Sequence, residues 1–191
     1  MIIKKSDIKL KPANELPLYI AEEVDFRKID APMLTNVMLD RMTEMGGAAL
    51  SAPQVGLDMS MFVMGVNQTK IEVFNPTIIS YSKEETLMNE GSLSYPGILV
   101  IIKRPESIVV EYYNKNGQLL RNEFQGLTAR IFQHAYDHLQ GVTIKDKVSK
   151  LKWDLATKRL NNYKQKLVNK YTQKKLFEIK KAMKEQTNGH T

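Results

Sequence analysis

His134 and His138, four residues apart in His134-Ala135-Tyr136-Asp137-His138, are the side chains of this sequence best spaced for chemistry. At i and i+4 of a helix two imidazoles lie on one face, about one turn apart, and both can reach a single ion. In zinc hydrolases with this spacing the residue after the first histidine is a glutamate serving as general base. Here that position is Ala135. On spacing alone the pair reads either as metal ligands or as ordinary core or surface histidines. The chain has no cysteine, which excludes disulfides, thiolate metal sites and a cysteine nucleophile.

The elements that must position these residues can be read on either side. Residues 1–14 read as an extended or irregular arm. Residues 31–45 read as a helix capped by Asp30, with Pro32 in its first turn, Leu34, Met38, Met42 and Met45 facing the core, and Gly46-Gly47 ending it. Short strands follow at 61–64, 71–74, 78–79, 98–102 and 108–113, with Asn75-Pro76 as a turn and 114–117 as a hairpin loop. Residues 127–140 read as the helix carrying the histidines, ended by Gly141. A last helix spans about 149–182, with Leu151, Leu155, Leu160, Tyr163, Leu167 and Tyr171 expected to form a core-facing stripe. Strands this close together pair most simply as antiparallel, so the expected class is α+β.

The 191 residues are 42% hydrophobic and 26% charged, which excludes wholesale disorder and fits one domain with an appendage. The expected division is 1–148 as the domain, 149–184 as a basic C-terminal helix and 185–191 as a disordered tail. No apolar run is long enough for a membrane span. The start, MIIKKSDIKL, lacks the apolar core and cleavage site of a secretory leader, so a cytoplasmic protein is expected. Charge is unevenly spread. Residues 145–191 hold 14 Lys/Arg against 4 Asp/Glu, whereas the first 144 hold 14 against 17. The tail thus reads either as a solvated lysine-rich helix or as the contact for an acidic partner such as RNA. Nothing indicates DNA or a membrane as partner.

Three segments occur in order: Gly47-Ala48-Ala49-Leu50-Ser51-Ala52-Pro53-Gln54, Glu90-Gly91-Ser92-Leu93-Ser94, and Gln133-His134-Ala135-Tyr136-Asp137-His138-Leu139. They resemble the three motifs of the peptide deformylase family, approximately G-x-G-x-A-A-x-Q, E-G-C-x-S and Q-H-E-x-D-H-L. The resemblance covers roughly residues 30–144, and the sequence from 151 onward resembles the family's C-terminal helix. It implies small, mostly antiparallel sheets around the HxxxH helix. It implies a divalent metal, Fe(II) in the family with Zn or Ni as alternatives, held by His134, His138 and position 92. It implies that the Gln54 amide and the Leu93 N–H hold the formyl oxygen as an oxyanion forms. The backbone of Gly47, Ala49 and Leu50 would run beside an extended N-formylmethionyl peptide, and Ile131 would wall the methionine pocket. A ribosome or rRNA contact is implied for the basic C-terminal helix.

Two positions depart from the pattern. Ser92 stands where the family has its cysteine ligand, and a neutral hydroxyl binds a first-row metal far more weakly than a thiolate. Ala135 stands where the family has its catalytic glutamate, and a methyl group can neither accept nor return a proton. Ala49 replaces a glycine beside the peptide path. The expected function is therefore removal of formyl from the N-terminal methionine of nascent proteins, strongly impaired or absent. The alternatives are a non-catalytic binder of nascent N-termini or ribosomes, or an engineered inert copy of an active deformylase.

Overall fold

The structure, a computed structural model, describes residues 7–66 and 69–188. Residues 8–12 have no regular structure and lead into a short 3-10 turn, Ala13–Glu15; the start of the expected N-terminal arm lies outside the described residues. Helix α1, Ala31–Glu44, begins where Asp30 accepts a hydrogen bond from the Met33 N–H at 2.9 Å, with Pro32 in the first turn. That bond satisfies one of the donors a helix start leaves open. Leu34, Met38 and Met42 are buried as expected, while Met45 is the half-buried C-cap.

Seven strands follow: β1 Ala49–Ser51, β2 Met61–Val66, β3 Thr69–Tyr81, β4 Glu85–Ser92, β5 Tyr95–Pro105, β6 Ser107–Tyr113 and β7 Leu119–Gln125. All pairings are antiparallel. Five strands form one sheet in the order β1-β2-β3-β6-β7, and β4 and β5 form a separate two-stranded ribbon. Helix α2, Gly126–Leu139, carries both histidines. The α+β class with small antiparallel sheets is thus the observed one.

The core explains why β2 is apolar on both faces. Met61 and Val63 pack with Leu34, Met38 and Met42 of α1, whereas Phe62 and Met64 pack with Phe132, Ala135 and Leu139 of α2. The Phe62 and Phe132 rings meet edge to face at 5.0 Å, a favourable aromatic arrangement. The sheet is therefore covered by α1 on one side and α2 on the other, which fixes the histidine helix against β1 and β2.

One expectation about the sheet changes here. Asn75-Pro76 is not a turn: β3 runs straight through it. Asn75 takes a left-handed conformation at φ 46°, and the β3–β6 register shifts between Phe74 and Thr77. This is a bulge, the place where a sheet tolerates proline. The Asn75 side chain anchors it by accepting from the Val24 N–H at 2.7 Å and donating to the Val24 carbonyl at 3.0 Å.

Residues 150–191 form a second unit. Its helix α3, Lys150–Asn188, is 39 residues, about 58 Å at 1.5 Å per residue. The expected stripe of Leu151, Leu155, Leu160, Tyr163, Leu167 and Tyr171 does not share one face of the helix. Leu151 lies nine residues, two and a half turns, before Leu160, so the two fall on opposite sides of the helix. The helix includes residues 185–188 of the expected disordered tail; residues 189–191 lie outside the described residues.

Candidate functional site

A cavity of about 500 Å³ opens beside α2. Its lining comes from five pieces of chain: Gly46–Ala49 leading into β1, Gln54, the end of β4 from Asn89 to Leu93, Pro96 and Gly97 at the start of β5, and Leu127, Arg130, Ile131 and His134 on one face of α2. Of the residues singled out from the sequence, Gly47, Ala49, Gln54, Ser92, Leu93, Ile131 and His134 meet around this space. Leu50, Ala135 and His138 are buried and form no part of its lining. Leu50 packs in the α1 core and Ala135 in the α2 core.

Local chemistry holds each piece in place. Gly47 passes so close to Leu93 that a Cβ there would lie 2.8 Å from Leu93 Cδ1 and 3.2 Å from the Ala49 carbonyl oxygen, so a side chain at 47 would force Leu93 to move. Gln54 sits in the 3-10 turn Ala52–Val55. Its Oε1 accepts from the Ser51 N–H and the Ser51 hydroxyl, both at 3.0 Å, and its Nε2 donates to Ser94 Oγ at 3.1 Å. An amide nitrogen has two hydrogens, so one remains available on a side chain that lines the cavity. The Leu93 N–H donates to no group among the described residues. Ser92 Oγ accepts from the Ser94 N–H at 3.3 Å.

Glu90, at the inner face of β4, organises the charged side of the site. Arg104 grips it with two bonds, Nε to Oε1 at 2.7 Å and Nη2 to Oε2 at 2.9 Å, and Arg130 Nη1 reaches Oε1 at 2.9 Å. His134 Nδ1 lies 3.1 Å from Oε2. Burial pushes the Glu90 carboxyl up, but hydrogen bonds from His134 and Arg104, the Arg104 charge and the Arg130 bond outweigh it and hold it well below the usual carboxylate range. An ionised carboxylate only accepts, so His134 Nδ1 carries a hydrogen; in the neutral ring Nε2 then carries the lone pair. Asp137 is equally occupied: Arg104 Nη1 reaches one oxygen at 2.7 Å and Lys147 the other at 2.9 Å.

The His134 and His138 rings lie with centroids 5.3 Å apart, inclined at 66°. The His138 pKa is pushed down to about 3, by burial first and then by His134 and Arg104, so its ring is neutral. Its Nε2 is buried without a hydrogen-bond partner. A buried orphan nitrogen is costly, and coordination to a cation would satisfy it. Carboxylate-oriented histidines of this kind are typical metal ligands. The two imidazoles fit a divalent cation. The third donor on offer at this cavity is the Ser92 hydroxyl, and among the described residues no three His, Asp, Glu or Cys side chains form a metal-holding group.

A family profile described as Polypeptide deformylase matches residues 13–154. The chain belongs to the polypeptide deformylase family. It is 42% identical over 123 residues to the peptide deformylase of Thermotoga maritima, covering 64% of this chain and 75% of that protein. The crystal structure of a plant peptide deformylase superposes with a TM-score of 0.76 at 30% identity, over 89% of this chain and 96% of that one. A peptide deformylase from Acinetobacter baumannii, solved with Met-Ala-Ser bound, gives a TM-score of 0.70 at 26% identity, over 74% of this chain and 98% of that one. Deformylases are metalloenzymes, which supports a divalent metal as the cofactor of a deformylase-like function here.

Sequence reasoning missed Arg104 and Arg130. Arg104 follows Val100 and Ile102 on the buried side of β5, and a charge on the apolar phase of a strand signals a buried partner. Arg130 shares the helical face of Leu127, Ile131 and His134, the same kind of signal at helical spacing.

Proposed function

We propose that this deformylase homologue takes the N-formylmethionyl ends of nascent chains into the cavity beside His134 and hydrolyses them very slowly or not at all. The observation that carries this is the state of the carboxylates that flank the histidines. Glu90 is held by two arginines and His134, and Asp137 by Arg104 and Lys147. Neither is free to take a proton from water, and Ala135 cannot.

The binding half of the site is intact in this reading. The spare Gln54 hydrogen and the Leu93 N–H hold the formyl oxygen. The backbone of Gly47, Ala49 and Leu50 pairs with the peptide as an added strand, since β1 is an edge strand bonded only to β2. Leu127 and Ile131 wall the pocket for the methionine side chain. His134, His138 and Ser92 hold the cation, Fe(II) by family or Zn or Ni by the imidazole donors, at lowered affinity because Ser92 is not a thiolate. A divalent cation there supplies Lewis acidity and a more acidic water. Position 135 then provides no group to move that proton, so capture without turnover is the form of the account the residues favour. Nascent chains as ligands place the protein in the cytoplasm, and the basic face of α3 is assigned to the ribosome or rRNA.

Calorimetric titration with formyl-Met-Ala-Ser, beside an assay for released formate under added Zn, Ni or Fe(II), tests this. Binding without release is expected. Release at the rate of the Ser92→Cys, Ala135→Glu double variant, or no binding in any metal, contradicts it.

A further inference from the structure

A second cavity, of about 150 Å³, shares no lining residue with the first. Tyr81 of β3, Lys103 and Arg104 of β5, Tyr136 and Asp137 of α2, and Lys147 beyond α2 form its polar wall. Arg104 links the two spaces: it lines the second, and Glu90, the carboxylate it grips, lines the first. Pockets for organic ligands typically measure about 300–1,000 Å³, so this one has the size for a small ion.

Hydrogen-bond donors line this space, and its one carboxylate is already taken. The buried Arg104 guanidinium has five N–H bonds. Nε and Nη2 bond to Glu90 and Nη1 to Asp137, which leaves one hydrogen on each Nη nitrogen. Lys147 Nζ lies 2.9 Å from Asp137 Oδ1 and has further hydrogens to give. The Tyr81 and Tyr136 hydroxyls have no hydrogen-bond partner among the described residues. Asp137 has one oxygen on Arg104 and the other on Lys147. Charge is unbalanced in the same sense. The ion pairs running through Arg104 join three cations, Arg104, Arg130 and Lys147, to two anions, Glu90 and Asp137. Lys103 is balanced by Glu85, which lies outside the wall.

We propose that this second cavity binds a small tetrahedral oxyanion of the inorganic phosphate class. Guanidinium groups meet such ions through directed N–H···O bonds, and an ammonium adds a point charge. The two phenols complete the shell with neutral donors. Donors supplied by β3, β5, α2 and the segment after α2 suit a tetrahedral ion better than a planar carboxylate. The bound ion brings the Arg104 network to charge balance and braces the guanidinium that holds Glu90. The inference does not depend on the peptide-binding reading above.

The test is a calorimetric titration of the full chain with inorganic phosphate, against chloride at matched ionic strength. One saturable phosphate site per chain is expected. The Tyr81→Phe, Tyr136→Phe double variant keeps both rings and removes only the hydroxyls. It should bind about ten-fold more weakly or worse, the size of lost hydrogen bonds to a charged group. Lys147→Gln should weaken binding as well, and it provides the comparison should the phenylalanine pair not fold. Adenosine monophosphate, too large for the cavity, should bind more weakly than phosphate. No saturable binding at millimolar phosphate overturns the proposal. Binding unchanged in both variants also overturns it, and places the ion on the lysines of α3 instead. Adenosine monophosphate binding as tightly as phosphate overturns the assignment to a free ion.

Discussion

His134 Nδ1 lies 3.1 Å from Glu90 Oε2, and that carboxylate is itself fixed by the guanidinium groups of Arg104 and Arg130. The first imidazole of the HxxxH pair is therefore aimed by a strand-borne anion, not by its own helix. The ribbon carrying Glu90 and Ser92 and the helix carrying the histidines are tied together here, and again where Arg104 reaches Asp137 and Arg130 reaches Thr86 and the Ile102 carbonyl.

Glu90→Gln tests that tie. Removing one partner of a buried ion cluster leaves Arg130 without its carboxylate and Arg104 with Asp137 alone, and breaking such buried pairs costs roughly 3–5 kcal/mol. Urea unfolding should show a loss of this order, and metal affinity should fall about 10–100-fold as His134 loses its orienting group. Unchanged stability would mean the two arginines find other partners.

Acid should destabilise the fold through two groups with the same sign. The Glu90 carboxyl is held below its unfolded value, so its contribution is full above about pH 4.5 and is lost as pH falls toward the folded value. His138 is held at about 3 against 6.5 unfolded, so the unfolded chain takes up a proton first as pH falls below 6.5. Stability should drop by up to about 1.4 kcal/mol per pH unit from His138 alone between those values. Denaturant melts from pH 7 to 4 measure it. His138→Gln should flatten the upper part of the slope, and a wild-type slope that matches the variant's would contradict the assignment.

Helix α1 and the histidine helix were legible because their signals are local. The i, i+4 spacing, Gly141 after the helix, and Asp30 before Pro32 each act within a few residues. Strand β4 was not legible: its inward residues are Thr86, Met88 and Glu90, and the charge is buried only because Arg104 and Arg130 arrive from elsewhere. Asn75-Pro76 carries the composition of a turn, and only the pairing of β6 beside it and the Val24 backbone make it a bulge. The apolar residues of α3 recur at steps of about four, and over the 21 residues from Leu151 to Tyr171 such steps drift out of helical phase, so they do not form one face.

Metal binding should be measurable without activity. Added Zn or Ni should raise the thermal transition of the full chain slightly, since the orphan His138 Nε2 gains a partner. Ser92→Cys should enlarge the shift and lower the metal concentration at half effect by more than ten-fold. No shift in either protein would show that the two rings do not share an ion.

The basic helix α3 should give salt-dependent ribosome pelleting. Contacts between lysines and phosphates release counterions, so raising salt from about 50 to 200 mM should reduce binding by orders of magnitude. Deletion of residues 150–191 should abolish it. Binding that is unchanged in high salt or after the deletion would contradict the assignment.

The measurement closest to the central claim is formate release from formyl-Met-Ala-Ser by four metal-loaded proteins: the chain itself, Ser92→Cys, Ala135→Glu and the double variant. A positioned general base contributes roughly 10²–10⁴-fold. Ala135 is 1% exposed in the α2 core, so the new carboxylate is expected to lower stability, and each variant's melt is recorded alongside. No release above background is expected from the chain itself, metal retention without rate from Ser92→Cys, rate only in excess metal from Ala135→Glu, and both from the pair. Release by the unaltered chain at the rate of the double variant would contradict it.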